Sequence, residues 1–307
     1  MKKISFDDNT ILDSCILTIG NFDGVHLGHI HLIQEMKKLS IINELPIVLL
    51  TFKQHTNEIV SNKKLNLLTP QELKFKKLSD LKIDFISLID FNEKFSKMDI
   101  DLFMKLIIQK YNPKFFFIGY DNKFGYKRKG SYEYFSKNII YNKITFKTLN
   151  PFIFNNKEVK SSLIKDKIVA GDIREANKLL GYKYKIIGNV VKGRGIGRKI
   201  GFPTLNVDLK YKKQLIPSNG VYSVNLKLDK KSYFSICNIG IRPTVSNNSI
   251  LSIEVHILDI QDIVLHKKEV EIDFIDKIRN EIKFNSVEEL KKQIFNDIKF
   301  LKKERNG

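Results

Sequence analysis

The chain has 307 residues, 42% of them hydrophobic and 28% charged, which is typical of a soluble globular protein long enough for two domains. Its two cysteines, Cys15 and Cys237, stand far apart in apolar runs and exclude a disulfide framework. Apolar runs are too short to span a membrane, and acidic residues interrupt the segment where a signal peptide would be apolar. We therefore expect a cytoplasmic protein with no membrane partner.

The net charge of +19 leaves two interpretations open. One is binding to nucleic acid or to membrane lipid. The other is a solvated basic surface, because lysines are spread along the whole chain and basic runs such as 127–129 are short. We favour a surface that attracts phosphorylated small molecules, and we expect no nucleic-acid partner.

The first half of the chain alternates predicted strands and helices. Apolar residues at helical spacing follow the first strand, and Thr69 begins a predicted capping box for a later helix. The repeated β-α-β units predict a parallel sheet with helices on both faces, whose ligands bind beyond the carboxyl ends of the strands. The loops after Ile19 and Ile118 are therefore the expected site. The predicted strands are 16–19, 47–52, 85–89 and 115–118.

The pattern changes after a predicted helix that begins at Asp172 and ends at Gly181. Short strands then follow one another without helical crossovers, which predicts a small antiparallel barrel closed by one C-terminal helix. The predicted domains are 1–183 and 184–307. The predicted barrel strands are 184–191, 221–228, 233–239, 250–258 and 270–275.

The loop between the first strand and the first helix has the sequence GNFDGVHLGH, from Gly20 to His29. Its glycines let the backbone approach a phosphate closely, and the helix start supplies N–H groups and the positive end of a dipole. His26 and His29 can donate hydrogen bonds to charge that develops on phosphorus. Two surface histidines in a glycine turn are the structural alternative, and a zinc-protease spacing is absent. We interpret the segment as a nucleotide site.

A glycine-rich basic stretch, GRGIGRKIGFPTLN, runs from Gly193 to Asn206. It contains no Walker A sequence, and Pro203 disfavours a following helix. Backbone N–H groups and Arg198 could hold phosphates, while Thr204 and Asn206 offer oxygen ligands suited to Mg²⁺. On physical grounds alone, a basic hairpin loop explains the same residues about equally well.

Both stretches resemble one family. GNFDGVHLGH is similar to the HxGH nucleotidylyltransferases and, more narrowly, to the opening of bacterial bifunctional riboflavin kinase/FAD synthetases. GYDNKFG, which starts at Gly119, resembles the second nucleotide loop of that family. The stretch that ends in FPTLN is similar to the riboflavin kinase signature, and NIGIRPT and EVHILD follow it in the family's order, starting at Asn238 and Glu254.

The resemblance implies an α/β, Rossmann-like HxGH nucleotidyltransferase domain, followed by a small antiparallel β-barrel riboflavin kinase domain with a C-terminal helix. It implies that the barrel phosphorylates riboflavin to FMN with Mg²⁺ and ATP. It also implies that the first domain adenylylates FMN to FAD and releases pyrophosphate. The expected partners are riboflavin, FMN and ATP, and we expect a monomer or a weak homo-oligomer.

Roles for individual residues also follow from the resemblance. His26 and His29 would stabilise the pentacovalent phosphorus, and Glu254 is the candidate base for the riboflavin 5′-hydroxyl. Thr204 and Asn206 would position Mg·ATP. The other nucleotide-binding candidates are Gly20, Phe22, Asp23, Gly28, Asp121, Ser162, Lys165, Gly193, Gly197 and Arg198. The flavin-binding candidates are Asn238, Arg242 and Arg279.

The sequence departs from the family pattern at three places. Asn122 stands where an aromatic residue is usual, and 53–56 lacks prolines on either side of its histidine. Lys165 replaces an arginine and so lacks the guanidinium fork that grips a phosphate through two N–H groups. A riboflavin kinase with a degenerate first domain therefore stays open as an alternative, and so does an HxGH enzyme with another acceptor.

Overall fold

The computed structural model describes residues 1–56, 66–120, 122–193, 195–229, 231–242, 250–258 and 268–306. The chain divides into two compact units, Met1–Ser161 and Ser162–Gly307. The predicted histidine loop lies in the first unit and the glycine-rich stretch lies in the second, and each unit is described by itself. No helix in the described part of the chain combines the length and the apolar character needed to cross a membrane.

The first unit is built on a six-stranded parallel sheet with the strand order β1-β4-β3-β2-β5-β6. The central strands β2 and β3 are buried at every position, because helices cover both faces of the sheet. The strands are β1 (Lys2–Ser5), β2 (Cys15–Ile19), β3 (Ile47–Phe52), β4 (Phe85–Ile89), β5 (Pro113–Phe117) and β6 (Thr145–Lys147). A hairpin follows, with β7 (Ile153–Phe154) and β8 (Lys157–Glu158).

The helices of the first unit are α1 (Leu27–Asn43), α2 (Gln71–Asp80), α3 (Glu93–Ser96), α4 (Ile100–Tyr111) and α5 (Tyr132–Ser136). The capping box predicted at Thr69 is wrong. Helix α2 has Pro70 at its N-cap, and Thr69 Oγ1 accepts a hydrogen bond from the Gly24 N–H at 2.8 Å instead. A tertiary contact with the predicted nucleotide loop has therefore taken the place of the local cap.

The second unit contains a closed antiparallel barrel with the strand order β10-β13-β12-β11-β14-β9. Alternate side chains of its strands point inward and form the barrel core, as in β9, where Ile186 and Val190 are buried. The barrel strands are β9 (Lys185–Val191), β10 (Leu205–Leu209), β11 (Gly220–Leu228), β12 (Lys231–Arg242), β13 (Ile250–Ile257) and β14 (Glu269–Arg279). The α/β fold and the barrel predicted from the sequence are confirmed.

The helices of the second unit are α6 (Ser161–Ala170), α7 (Ile173–Leu180), α8 (Ile196–Lys199) and α9 (Val287–Asn306). Helix α7 is tied to the barrel, because the Asn177 side chain donates to the Phe274 carbonyl at 3.0 Å and Arg174 pairs with Asp276 at 2.8 Å. The structure thus groups α6 and α7 with the barrel, whereas the predicted division falls after residue 183. As a functional boundary, that division stays a prediction.

Candidate active sites

The loop between β2 and α1 is fixed by hydrogen bonds to the segment before α2. Asp23 Oδ1 accepts from the Leu68 and Thr69 backbone N–H groups, at 2.9 and 3.1 Å. Ser161 Oγ donates to the Asp23 carbonyl at 2.8 Å. Asp23 therefore holds the loop in place, and the predicted contact of its side chain with a nucleotide stays a prediction.

His26 and His29 lie side by side at the start of α1. Their rings stack with centroids 3.8 Å apart and planes inclined by 20°, and the Phe22 ring lies 5.1 Å from that of His29. Among the described residues, neither buried Nδ1 atom has a hydrogen-bond partner. Gly28 leaves room for this arrangement, because a Cβ there would lie 3.0 Å from the Val159 carbonyl and 3.2 Å from the His26 ring.

Both histidines are neutral near pH 7. Burial lowers the pKa of His26 to about 4, although the negative charge of Asp23 opposes the shift. Burial also lowers the pKa of His29 well below its ordinary value, and the neighbouring His26 and Lys74 lower it further. A neutral imidazole carries one N–H, so the pair can donate hydrogen bonds to phosphate oxygens without carrying charge.

A large cavity of about 980 Å³ opens beside this loop within the first unit. Gly20 and Asn21 line it on one side and Asn122 on the other, where the Asn122 side chain donates to the Ile19 carbonyl at 2.8 Å. Acidic residues Asp90 and Glu93 contribute to the lining, and aromatic and basic side chains form much of the rest, with Phe52, Phe91, Phe95, Phe103, Phe124, Lys97, Lys123, Lys127 and Arg128. The predicted candidate Asp121 lies outside the described residues.

The candidates Ser162 and Lys165 lie on α6, which the structure assigns to the second unit. Their predicted contact with the nucleotide of the first site stays a prediction.

In the second unit, the glycine-rich loop packs directly onto β10 and the residues that precede it. A Cβ on Gly193 would lie 2.0 Å from the Asn206 amide nitrogen, and a Cβ on Gly197 would lie 2.4 Å from the Phe202 carbonyl oxygen. The Phe202 N–H donates to the Gly197 carbonyl at 2.8 Å and closes the turn. Gly197 requires glycine because backbone approaches it so closely, whereas a Cβ on Gly193 would meet the side chain of Asn206.

Three predicted site residues form a row across adjacent barrel strands. Asn206 on β10 lies opposite Glu254 on β13, and Glu254 lies opposite Asn238 on β12. Thr204 Oγ1 donates to Glu254 Oε2 at 3.2 Å, and Ser252 Oγ donates to Glu254 Oε1 at 3.2 Å. The barrel register thus brings an acid, two amides and a hydroxyl to one place, next to the glycine-rich loop.

Thr204, Asn206, Asn238 and Glu254 line a cavity of about 460 Å³. Apolar side chains that include Phe284, Leu290 and Ile294 also line it, and so does Gly197 of the glycine-rich loop. The cavity can therefore hold an apolar ring system beside a polar, phosphate-facing end.

Arg279 lines the cavity, but its guanidinium is already paired, and its predicted contact with flavin stays a prediction. Its Nε lies 3.1 and 3.0 Å from the two carboxylate oxygens of Asp297, and its Nη2 lies 2.9 Å from Asp297 Oδ2. Arg198 is exposed and is not among the residues that line the cavity. The side chain of Arg242 lies outside the described part of the chain.

The two halves of the chain match two family models. Residues 8–163 match the FAD synthetase family, and residues 180–304 match the riboflavin kinase family. The chain is 38% identical over 294 residues to the bifunctional riboflavin kinase/FMN adenylyltransferase of Buchnera aphidicola subsp. Schizaphis graminum, covering 94% of this chain and 93% of that protein. The chain belongs to the bifunctional riboflavin kinase/FMN adenylyltransferase family.

Other members of this riboflavin kinase/FMN adenylyltransferase family are similar over the same length. The Haemophilus influenzae protein is 34% identical, with 96% of this chain and 95% of that protein covered. The Escherichia coli K12 protein is 33% identical, with coverages of 93% and 91%. A solved structure from Streptococcus pneumoniae, described as a macrolide-efflux protein, matches with a TM-score of 0.87 at 26% identity and covers 97% of both chains.

These findings confirm the family and both activities predicted from the sequence. A match to each family model supports a riboflavin kinase and an FMN adenylyltransferase in one chain, and the alternative of a kinase with a degenerate first domain is not favoured.

The sequence interpretation missed Lys74 near the first site. This lysine is buried on α2 between the buried residues Leu73 and Phe75. Its position on the apolar face of the helix is the signal that could have identified it, because a lysine is rarely buried without a specific role.

Proposed function

We propose that the two reactions of this bifunctional enzyme are divided between its two units, with riboflavin phosphorylated in the barrel cavity and FMN adenylylated at the histidine pair. The row formed by Asn206, Glu254 and Asn238 supports this division most directly. Its carboxylate and amide groups line the same cavity as the glycine-rich loop and a set of apolar side chains. A phosphoryl donor and an apolar acceptor could meet there.

In the barrel, Glu254 is positioned to act as the base. The 5′-hydroxyl of riboflavin would attack the terminal phosphorus of ATP, transfer its proton to the Glu254 carboxylate and release ADP. Hydrogen bonds from Thr204 and Ser252, both at 3.2 Å, orient the carboxylate before substrate binds. Phosphoryl transfer depends mainly on positioning and electrostatics, so one oriented carboxylate is sufficient.

The residues of the barrel site also fit a magnesium ion bound together with ATP. The described residues contain no cluster of three or more His, Cys, Asp or Glu side chains that could hold a metal ion alone. Mg²⁺ bound with nucleotides usually takes only one or two protein ligands, because phosphates and water supply the others. Thr204 Oγ1 and the Asn206 amide oxygen would be those ligands. When bound, Mg²⁺ neutralises negative charge on the phosphates.

At the first site, a phosphate oxygen of FMN would attack the α-phosphorus of ATP, and the bond to pyrophosphate would break. His26 and His29 donate hydrogen bonds to the oxygens on that phosphorus as charge builds up. The aromatic and basic lining of the large cavity suits a flavin ring and its phosphate. A cytoplasmic location, a monomeric or weakly associated state and the absence of a nucleic-acid partner stay predictions.

Two substitutions test the division of activities. Asn206→Ala should lower riboflavin phosphorylation by about 100-fold or more, since a lost transition-state contact costs that much. FAD formation from supplied FMN should be unchanged. His29→Ala should lower FAD formation from supplied FMN by a similar factor and leave riboflavin phosphorylation unchanged. Asn189→Ala on the neighbouring strand β9 and His31→Ala on α1 are the matched controls.

Flavin products separated by chromatography measure both steps in each variant. If Asn206→Ala left riboflavin phosphorylation intact, the barrel assignment would be wrong. If His29→Ala left FAD formation intact, the assignment of the first site would be wrong.

A further inference from the structure

Lys74 is a buried cation beneath the nucleotide loop of the first unit. Its side chain is only 8% exposed, and its Nζ donates to the Asn21 carbonyl at 3.1 Å and to Thr51 Oγ1 at 3.2 Å. Both acceptors are neutral oxygens. Burying an ammonium group is costly unless strong partners compensate it. A lysine in this position therefore suggests that its charge has a function.

The surroundings of Lys74 connect it to the histidine pair. Lys74 interacts electrostatically with Asp23, on the loop, and with His29, on α1. The Phe75 ring lies 5.9 Å from its Nζ, and Lys3 lies over the same ring at 4.3 Å. Lys74 thus lies within electrostatic range of the proposed adenylyl-transfer centre while its Nζ contacts the loop backbone.

We propose that Lys74 is a positioning residue that supplies a buried positive charge next to the adenylyltransferase site, acting through the Asn21 carbonyl and the histidine pair. This inference rests on the assignment of adenylyl transfer to the first unit. The ammonium polarises the peptide that follows Asn21, and its charge attracts the triphosphate through a low-dielectric region. Since His26 and His29 are neutral near pH 7, a cation beneath them fills a role that they do not.

A pH dependence follows from the burial of this group. Burial lowers the pKa of Lys74 to about 8, although Asp23 partly offsets the shift. Below that pH Lys74 is charged and favours bound ATP. Above it the free enzyme loses the charge, so the affinity for ATP falls. The KM for ATP in the FMN adenylyltransferase reaction should therefore rise as the pH increases through about 8.

The experiment measures initial rates of FAD formation from FMN in the full chain, between about pH 6.5 and pH 9.5. Lys74→Met should raise the KM for ATP about tenfold at neutral pH, since a charged hydrogen-bonding group is lost, and should abolish the alkaline rise. Lys74→Arg should keep a low KM and lose the rise, because a guanidinium stays protonated. Lys76→Met removes an exposed lysine from the same helix and should resemble the wild type.

Several results would overturn the proposal. One is a wild-type KM for ATP that stays constant across this pH range. Another is an alkaline rise that persists in Lys74→Met or, if that variant does not fold, in Lys74→Arg. The riboflavin kinase reaction of the same samples, measured with the same Mg·ATP, controls for effects on the nucleotide. His29→Ala, assayed in parallel, separates the two claims: if it still makes FAD, the site assignment fails rather than the role of Lys74.

Discussion

Replacing Gly197 with alanine would place a methyl group against the backbone of the glycine-rich loop. The added Cβ would lie 2.4 Å from the Phe202 carbonyl oxygen, whereas real Cβ contacts are essentially never shorter than 3.0 Å. It would also lie 3.0 Å from Thr204 Oγ1. Because the obstacle is backbone held by the hydrogen bond from the Phe202 N–H to the Gly197 carbonyl, a side-chain rotation cannot relieve the clash.

The distance of 2.4 Å is about 0.6 Å shorter than the 3.0 Å limit, so the loop must move by about that amount. It moves against the segment that carries Thr204. A misplacement of about 1 Å near the reacting groups can cost about 100-fold in rate. We expect kcat/KM for riboflavin phosphorylation to fall by about 10-fold to 100-fold, and overpacking to lower the free energy of unfolding by about 1–3 kcal/mol. FAD formation from supplied FMN should be unaffected.

Gly195→Ala is the matched control in the same loop. Gly195 has a φ of +71°, and a Cβ there would meet nothing within 4 Å. Alanine at this position must adopt a left-handed backbone conformation, which destabilises the protein by about 1–2 kcal/mol, but it does not displace Thr204. Chromatographic rates of FMN formation and urea unfolding of both variants check the difference. Equal losses of kinase activity in the two variants would show that the backbone contact at Gly197 does not determine the rate.

Two further predictions concern stability. Asp297→Ala should lower the free energy of unfolding of the barrel by about 3–5 kcal/mol, because it leaves the mostly buried Arg279 guanidinium without its carboxylate partner. As a control, Asp208→Ala breaks an exposed ion pair and should lower the free energy of unfolding by less than about 1 kcal/mol in the same urea titration. His26 has a pKa of about 4 in the folded protein, so as the pH falls below about 6.5 the unfolded chain binds a proton that the folded protein does not. The free energy of unfolding should therefore decrease by about 3 kcal/mol between about pH 6.5 and about pH 4. His26→Asn should reduce this dependence in urea titrations, although the buried His29 still contributes to it, and an unchanged slope would count against the buried, neutral His26.

Much of the fold follows from local pattern. Strands β2 and β3 follow from runs of consecutive apolar residues, and the structure buries every residue in them, as a parallel strand covered on both faces requires. Strand β1 was missed because it is short and half exposed, and β6 because it has only three residues. Strand β10 was missed because Pro203 and the residues after it resemble a turn.

The geometry of the sites depends more on long-range pairing than on local pattern. Glu254 meets Asn206 and Asn238 only because strands distant in sequence pair in this register. The Arg279–Asp297 pair joins β14 to the C-terminal helix, so the sequence around Arg279 alone could not reveal it. Arg198 was chosen for its charge within the motif, yet the structure leaves it exposed.

The most direct test of the account is a time course of the unmodified full chain with riboflavin, ATP and Mg²⁺, with flavins separated by chromatography. We expect that FMN accumulates first and FAD follows, and that supplied FMN is converted to FAD without riboflavin. If FMN remained the sole product, even when FMN was the substrate, the assignment of adenylyl transfer to the first unit would be contradicted. If neither product formed, the account of both sites would be contradicted.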